Sequence, residues 1–165
     1  MPSPLSYRDG SLRAFGHPLH VLLIHIPMGL WPLVFPLELA GWLGWDEGWR
    51  LAFRVNALAL AAALPAAATG LIDLIGLRRG SAAERAANLH PAAMLAAAAL
   101  FGGELCFHPP GAVLAGTRAF FNLGITLLGS AALFYGGWLG GELVLRHGAG
   151  RIGEEGERGR EREAG

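Results

Sequence analysis

Four long apolar stretches divide this chain, at residues 18–43, 51–77, 89–107 and 118–145. A helix needs about 20 mostly apolar residues to cross a ~30 Å hydrocarbon core. Each stretch reaches or approaches that length. Inside lipid, backbone N–H and C=O groups have no water to bond, so such segments fold as helices. The pattern predicts an all-α integral membrane four-helix bundle with short loops. Three regions follow: an N-terminal segment over 1–16, a transmembrane domain over 17–148 and a charged tail over 149–165. The tail has almost nothing to bury and is expected to be disordered in isolation.

Prolines and glycines punctuate the pattern. His17-Pro18 reads as a helix start, because proline at the first helical position gives up an N–H that had no partner. Pro27, Pro32 and Pro36 fall inside the first helix, where each removes an internal hydrogen bond. Arg78-Arg79-Gly80-Ser81 reads as a turn, and Asn88-Leu89-His90-Pro91 as the next start, with proline in the first turn. His108-Pro109-Pro110-Gly111 stops the third helix. The first 16 residues lack the basic start and short apolar core of a secretory signal, so the first apolar stretch is expected to stay as an anchor.

Arginine sets the expected orientation. With four spans, Arg8, Arg13, Arg78, Arg79, Arg85, Arg146 and the tail arginines share one side, against Arg50, Arg54 and Arg118 on the other. Cytoplasmic loops carry the excess of Lys and Arg. Both termini are therefore expected in the cytoplasm of a bacterial inner-membrane protein. Trp42, Trp45, Trp49 and Phe53 surround the first outer loop and suit an aromatic belt at the headgroups.

Composition narrows the function. Charged residues make up 16% of the chain, well below the roughly 25% of soluble domains. Formal net charge is zero, which gives no basic surface for nucleic acid. Cys106 is the single cysteine, so neither a disulfide nor a cysteine zinc site forms within the chain, and it reads as a small buried residue. No phosphate loop, nucleophile elbow or HExxH motif occurs, and the chain reads as non-catalytic.

Ionisable residues in membrane spans cost ~2.5–3.5 kcal/mol on insertion scales and mark function by default. Here they sort into two layers. The inner layer holds His17, His20, His25, Asp73, His90, Glu142, Arg146 and His147. His17 and His20 share a helix face, and Glu142 and Arg146 are spaced for an ion pair. Three readings fit this layer: a structural polar network, a metal or haem b site with His17, His20, His90 and His147 as candidate ligands, or a proton or quinone site. The outer layer holds Glu38, Arg54, Glu104, His108 and Arg118. Cross-helix ion pairs account for its carboxylates and arginines, and His108 reads as a loop residue. Gly136, Gly137, Gly140 and Gly141 make two overlapping small-xxx-small pairs, suited to close packing inside the bundle or to self-association.

Several motifs resemble a known family. Gly16-His17-Pro18-Leu19-His20, Ile26-Pro27-Met28-Gly29-Leu30 and Gly70-Leu71-Ile72-Asp73 are similar to signatures of the domain-of-unknown-function 2231 family. So is Gly137-Trp138-Leu139-Gly140-Gly141-Glu142-Leu143-Val144, followed by Arg146-His147-Gly148. The resemblance spans roughly 16–150. It implies four transmembrane helices and no assigned catalysis. Relatives joined to, or encoded beside, Rieske-type iron–sulfur domains imply a redox neighbourhood. The matching positions carry over to His17, His20, Asp73, His90, Glu142, Arg146 and His147. The family's His-x-x-x-Asn pattern is broken here, since Met94 stands at the asparagine position after His90. The expected role is an accessory or structural subunit of a redox or energy-transducing membrane complex. Its expected partners are lipid, other membrane subunits or a second copy. An electron-transfer protein and a small transporter are the alternatives.

Overall fold

A computed structural model describes residues 5–8, 11–14, 17–75 and 83–147. Four helices account for the fold: α1 (Leu19–Trp42), α2 (Glu47–Ile75), α3 (Ala83–Phe107) and α4 (Gly116–His147). All four are long and apolar enough to cross a membrane. The α1–α2 and α3–α4 hairpins are the most closely packed pairs, and they meet each other along α2–α3 and α1–α4. The bundle thus has a loop end, with turns at 43–46 and 108–115, and a terminal end. Residues 76–82, where the sequence predicts a turn, and the charged tail from 149 lie outside the described residues.

The helix starts differ from expectation, and α1 begins at Leu19, after His17-Pro18, which form a strand instead of the first helical turn. α2 begins at Glu47, and α3 begins at Ala83, which places Pro91 inside the helix rather than in its first turn. Hydropathy reports the thickness of the apolar slab, whereas a helix continues into the headgroup region on its own backbone bonds. Hydropathy also gives no signal for a small antiparallel sheet ahead of α1. Its strands are β1 (Leu5–Arg8), β2 (Ser11–Ala14) and β3 (His17–Pro18), in the order β1-β2-β3. Leu5 pairs with Ala14, and Ala14 with His17. β2 rests on α1 and α2, and the Leu12 N–H donates to Asp73 Oδ1 at 3.1 Å.

The loop end is drawn tight by two glycines. A Cβ on Gly41 would stand 2.6 Å from the Trp49 ring, and one on Gly48 would stand 2.5 Å from the Leu37 carbonyl oxygen. Their bare backbones let α1 and α2 close on each other and seat Trp49 indoors. Trp49 is buried with Leu114 and Ala119. Trp49 therefore does not join the aromatic belt, and Phe53 turns with it to the interior, where both rings meet His108. The outward aromatics at this end are instead Trp42, Trp45, Phe107, Phe120 and Phe121. Leu64, Leu95 and Phe134 are among the large apolar side chains exposed along the helices, as lipid contact requires. Cys106 is exposed too, contrary to its reading as a buried residue, because α3 turns its other face to the core.

The two hairpins repeat each other. Burial follows a constant shift of 70 residues: Pro27, Trp31, Glu38, Asn56, Ala59 and Ala66 are buried, and so are Ala97, Phe101, His108, Thr126, Gly129 and Gly136. Trp31 and Phe101, equivalent under this shift, stack at the centre with centroids 5.0 Å apart and planes at 6°. Such a stack contributes about 0.5–1.5 kcal/mol beyond its buried area. It divides the core into a polar half towards the loop end and a mostly apolar half below.

Candidate functional site

The polar half of the core is built from helix stripes. Pro27, Trp31, Val34 and Glu38 recur every three or four residues along α1 and face inward. Ala97, Phe101 and Glu104 continue the same spacing on α3, and His108 keeps it just past the helix end. Asn56 arrives from α2, and Asn122 and Thr126 from α4. Glu38, Asn56, Glu104, His108, Asn122 and Thr126 are all fully buried.

Glu104 is the hub. Its Oε2 accepts from Asn56 Nδ2 at 2.6 Å. Its Oε1 accepts from His108 Nδ1 at 2.6 Å and from Asn122 Nδ2 at 3.3 Å. A carboxylate is acceptor-only when ionised, and three N–H donors suit that form. With Glu104 accepting, the His108 proton sits on Nδ1. Asn56 ties the hub to the aromatic stack: its Oδ1 accepts from Trp31 Nε1 at 3.0 Å, and its Nδ2 also donates to the Phe101 carbonyl at 2.8 Å. One amide thus bridges α1, α2 and α3.

Glu38 is held less completely. The Thr126 hydroxyl lies 2.6 Å from its Oε2. Its Oε1 is buried with no hydrogen-bond partner and stands 4.0 Å from His108 Nδ1. Asn122 Oδ1 and His108 Nε2 are likewise buried and unpartnered. One ligand atom each from Glu38, Glu104 and His108 fall within 4.8 Å of one another. Two carboxylates in a water-poor site need positive charge close by, as protons, imidazolium or a cation.

This arrangement corrects the expected outer ion pairs. Arg54 reaches Glu47 at 3.6 Å, as does Arg50 at 3.1 Å, and Arg118 is exposed. Neither buried glutamate meets an arginine among the described residues. Amides, a hydroxyl and an imidazole take that place, because uncharged donors cost less to desolvate than guanidinium. His108 is correspondingly a core residue rather than a loop residue. The i, i+4 spacing of Glu104 and His108 carried the signal for this pair.

The inner residues are placed differently. His20 Nδ1 lies 2.8 Å from the Ala66 carbonyl, and His90 Nδ1 lies 2.8 Å from the Gly136 carbonyl. Both contacts join residues 46 apart, and the shift of 70 relates them. A Cβ on Gly70 would stand 2.8 Å from the His20 ring, and one on Gly140 3.0 Å from the His90 ring. Glycine one turn past the acceptor carbonyl thus opens the helix side to each imidazole. Gly136 faces Met94 and Gly137 faces Met28, while no neighbour stands within 4 Å of a Cβ on Gly141. His25 is exposed and bonded to the Val21 carbonyl of its own helix, away from the core. Asp73 takes the sheet amide already noted, and Glu142 lies half-buried on α4. The side chains of His17, Arg146 and His147 lie outside the described residues.

The profile of a family described as predicted membrane protein (DUF2231) matches residues 16–153. The chain belongs to that family. No curated protein and no solved structure matches it. For this DUF2231 protein the membership supports a membrane protein and leaves the chemistry to the residues themselves.

Thr126→Val is nearly isosteric and removes the hydroxyl that meets Glu38. It is expected to lower stability by about 1–3 kcal/mol, since a buried acceptor loses its partner. Thr69 bonds only carbonyls of its own helix, so Thr69→Val should cost clearly less. Thermal unfolding in detergent compares the two.

Proposed function

We propose that this protein is a small membrane subunit whose working part is a cation-binding core of acid, amide and imidazole groups. The carrying observation is the sealed set of Glu38, Glu104 and His108, with a carboxylate oxygen left unpartnered. Buried charge is a poor source of stability, because desolvation costs several kcal/mol per ion and apolar packing often does as well. Such a core is therefore better explained by chemistry than by folding. The described loops between helices, at 43–46 and 108–115, are short, which favours action beside a larger assembly over independent catalysis. The redox neighbourhood implied by the family resemblance points the same way, towards an energy-transducing complex.

Extracted in mild detergent from native membranes, the chain should migrate in an assembly far heavier than 17.4 kDa that carries respiratory activity. Deleting the gene should lower that activity, and Glu38→Gln should not restore it. A chain that migrates alone, and whose deletion leaves respiration unchanged, contradicts the subunit reading.

The orientation proposed has both termini in the cytoplasm, from the arginine asymmetry. In a Cys106→Ser background, a cysteine at Gly111 should react with an impermeant thiol reagent from outside, and one at Gly80 only after permeabilisation. The reverse pattern inverts the topology.

A further inference from the structure

We propose that Glu38, Glu104 and His108, with Asn122 beside them, form a binding site for one divalent transition-metal ion. The proposal rests on the reading of this core as a cation site and names the cation.

Charge balance favours a divalent ion. Two carboxylates and a neutral imidazole around one such ion sum to zero, the state a dry core tolerates best. The donor set is two carboxylate oxygens and one imidazole nitrogen, with an amide oxygen adjacent. Imidazole suits Zn²⁺, Fe²⁺ and their neighbours, whereas Mg²⁺ keeps several waters and prefers oxygen alone. Protein ligands at about 2.0–2.2 Å from a tetrahedral ion lie roughly 3.4 Å from one another. His108 Nδ1 stands 2.6 Å from Glu104 Oε1 and 4.0 Å from Glu38 Oε1, so these separations bracket that value. Shifts of under about 1 Å at the ends of glutamate side chains bring both to it.

The unpartnered atoms supply an independent argument. Glu38 Oε1 and Asn122 Oδ1 are fully buried acceptors with no donor. Leaving such groups unmade costs about 1–3 kcal/mol each, more for a charged one. A cation bound by the carboxylates satisfies Glu38 Oε1, and Asn122 is held beside that group through its Nδ2, 3.3 Å from Glu104 Oε1. The cation would displace the Nδ1 proton, and the imidazole proton then resides on Nε2, which faces no acceptor now. Trp49 and Phe53 stand at 81° and 70° to this ring with centroids 5.9 and 5.6 Å away, so the imidazole is held among aromatic rings.

The test uses the full chain in nanodiscs, stripped with chelator and equilibrated with Co²⁺ as a spectroscopic probe. One Co²⁺ per chain should bind with visible d–d absorption, be displaced by Zn²⁺ and resist Mg²⁺. Glu38→Gln and His108→Gln should each weaken binding by at least about tenfold, while Glu47→Gln leaves it unchanged. Circular dichroism and monodisperse elution establish that each variant is folded. Where a core variant does not fold, X-ray absorption of the Co²⁺-loaded wild-type chain decides. A single imidazole among oxygen ligands supports the site, and two or more imidazoles overturn it. Folded wild-type protein that binds no Co²⁺ also overturns it. If that protein still sustains respiration, the cation of the core is the proton, and the subunit reading stands without the metal.

Discussion

A single carboxylate, Glu104, sets the terms for the loop half of the bundle. It is fully buried, and N–H donors from α2, α4 and the residue just past α3 converge on it. Burying a charge without such partners costs far more than a small membrane protein can offset, so the positions of Asn56, Asn122 and His108 follow from it. Asn56 then passes the constraint on, because its remaining valences hold Trp31 and the α3 backbone. Glu38 enters the same pocket from α1 with only Thr126 as a hydrogen-bond partner, and the excess of acceptors there gives the core its chemistry.

The internal repeat explains why this polar centre lies where it does. Trp31 and Phe101 close the axis between the two hairpins, and the equivalent positions above them have diverged into different donors and acceptors: Glu38 against His108, and Asn56 against Thr126. Below the stack, one contact is kept in both hairpins. His20 and His90 make the same carbonyl contact over the same glycine. A repeated framework thus carries paired anchors at its terminal end and a differentiated site at its loop end.

Much of the architecture was legible in the chain. The four apolar stretches place four helices because lipid permits little else, and His108-Pro109-Pro110-Gly111 stops α3 where proline and a positive-φ glycine require. The candidate site was less legible. Glu38, Glu104 and His108 sat in view as a polar layer, yet arginines at the same depth offered an obvious pairing. Only the inward stripe of α1 and α3 shows which groups face one another. Asn56, Asn122 and Thr126 escaped notice because single uncharged polar residues are ordinary in membrane helices and none marks a site by itself. The sheet ahead of α1 escaped because its strands are short and its anchor is one backbone amide on Asp73.

The central claim is that Glu104 and Asn56 are energetically coupled across α2 and α3 rather than merely adjacent. A double-mutant cycle with Glu104→Leu, Asn56→Leu and the pair together, read by reversible unfolding in detergent, measures that coupling. A hydrogen bond to a buried charge predicts a coupling of about 1.5–3 kcal/mol, with the double variant losing less than the sum of the singles. Additive losses would contradict the account.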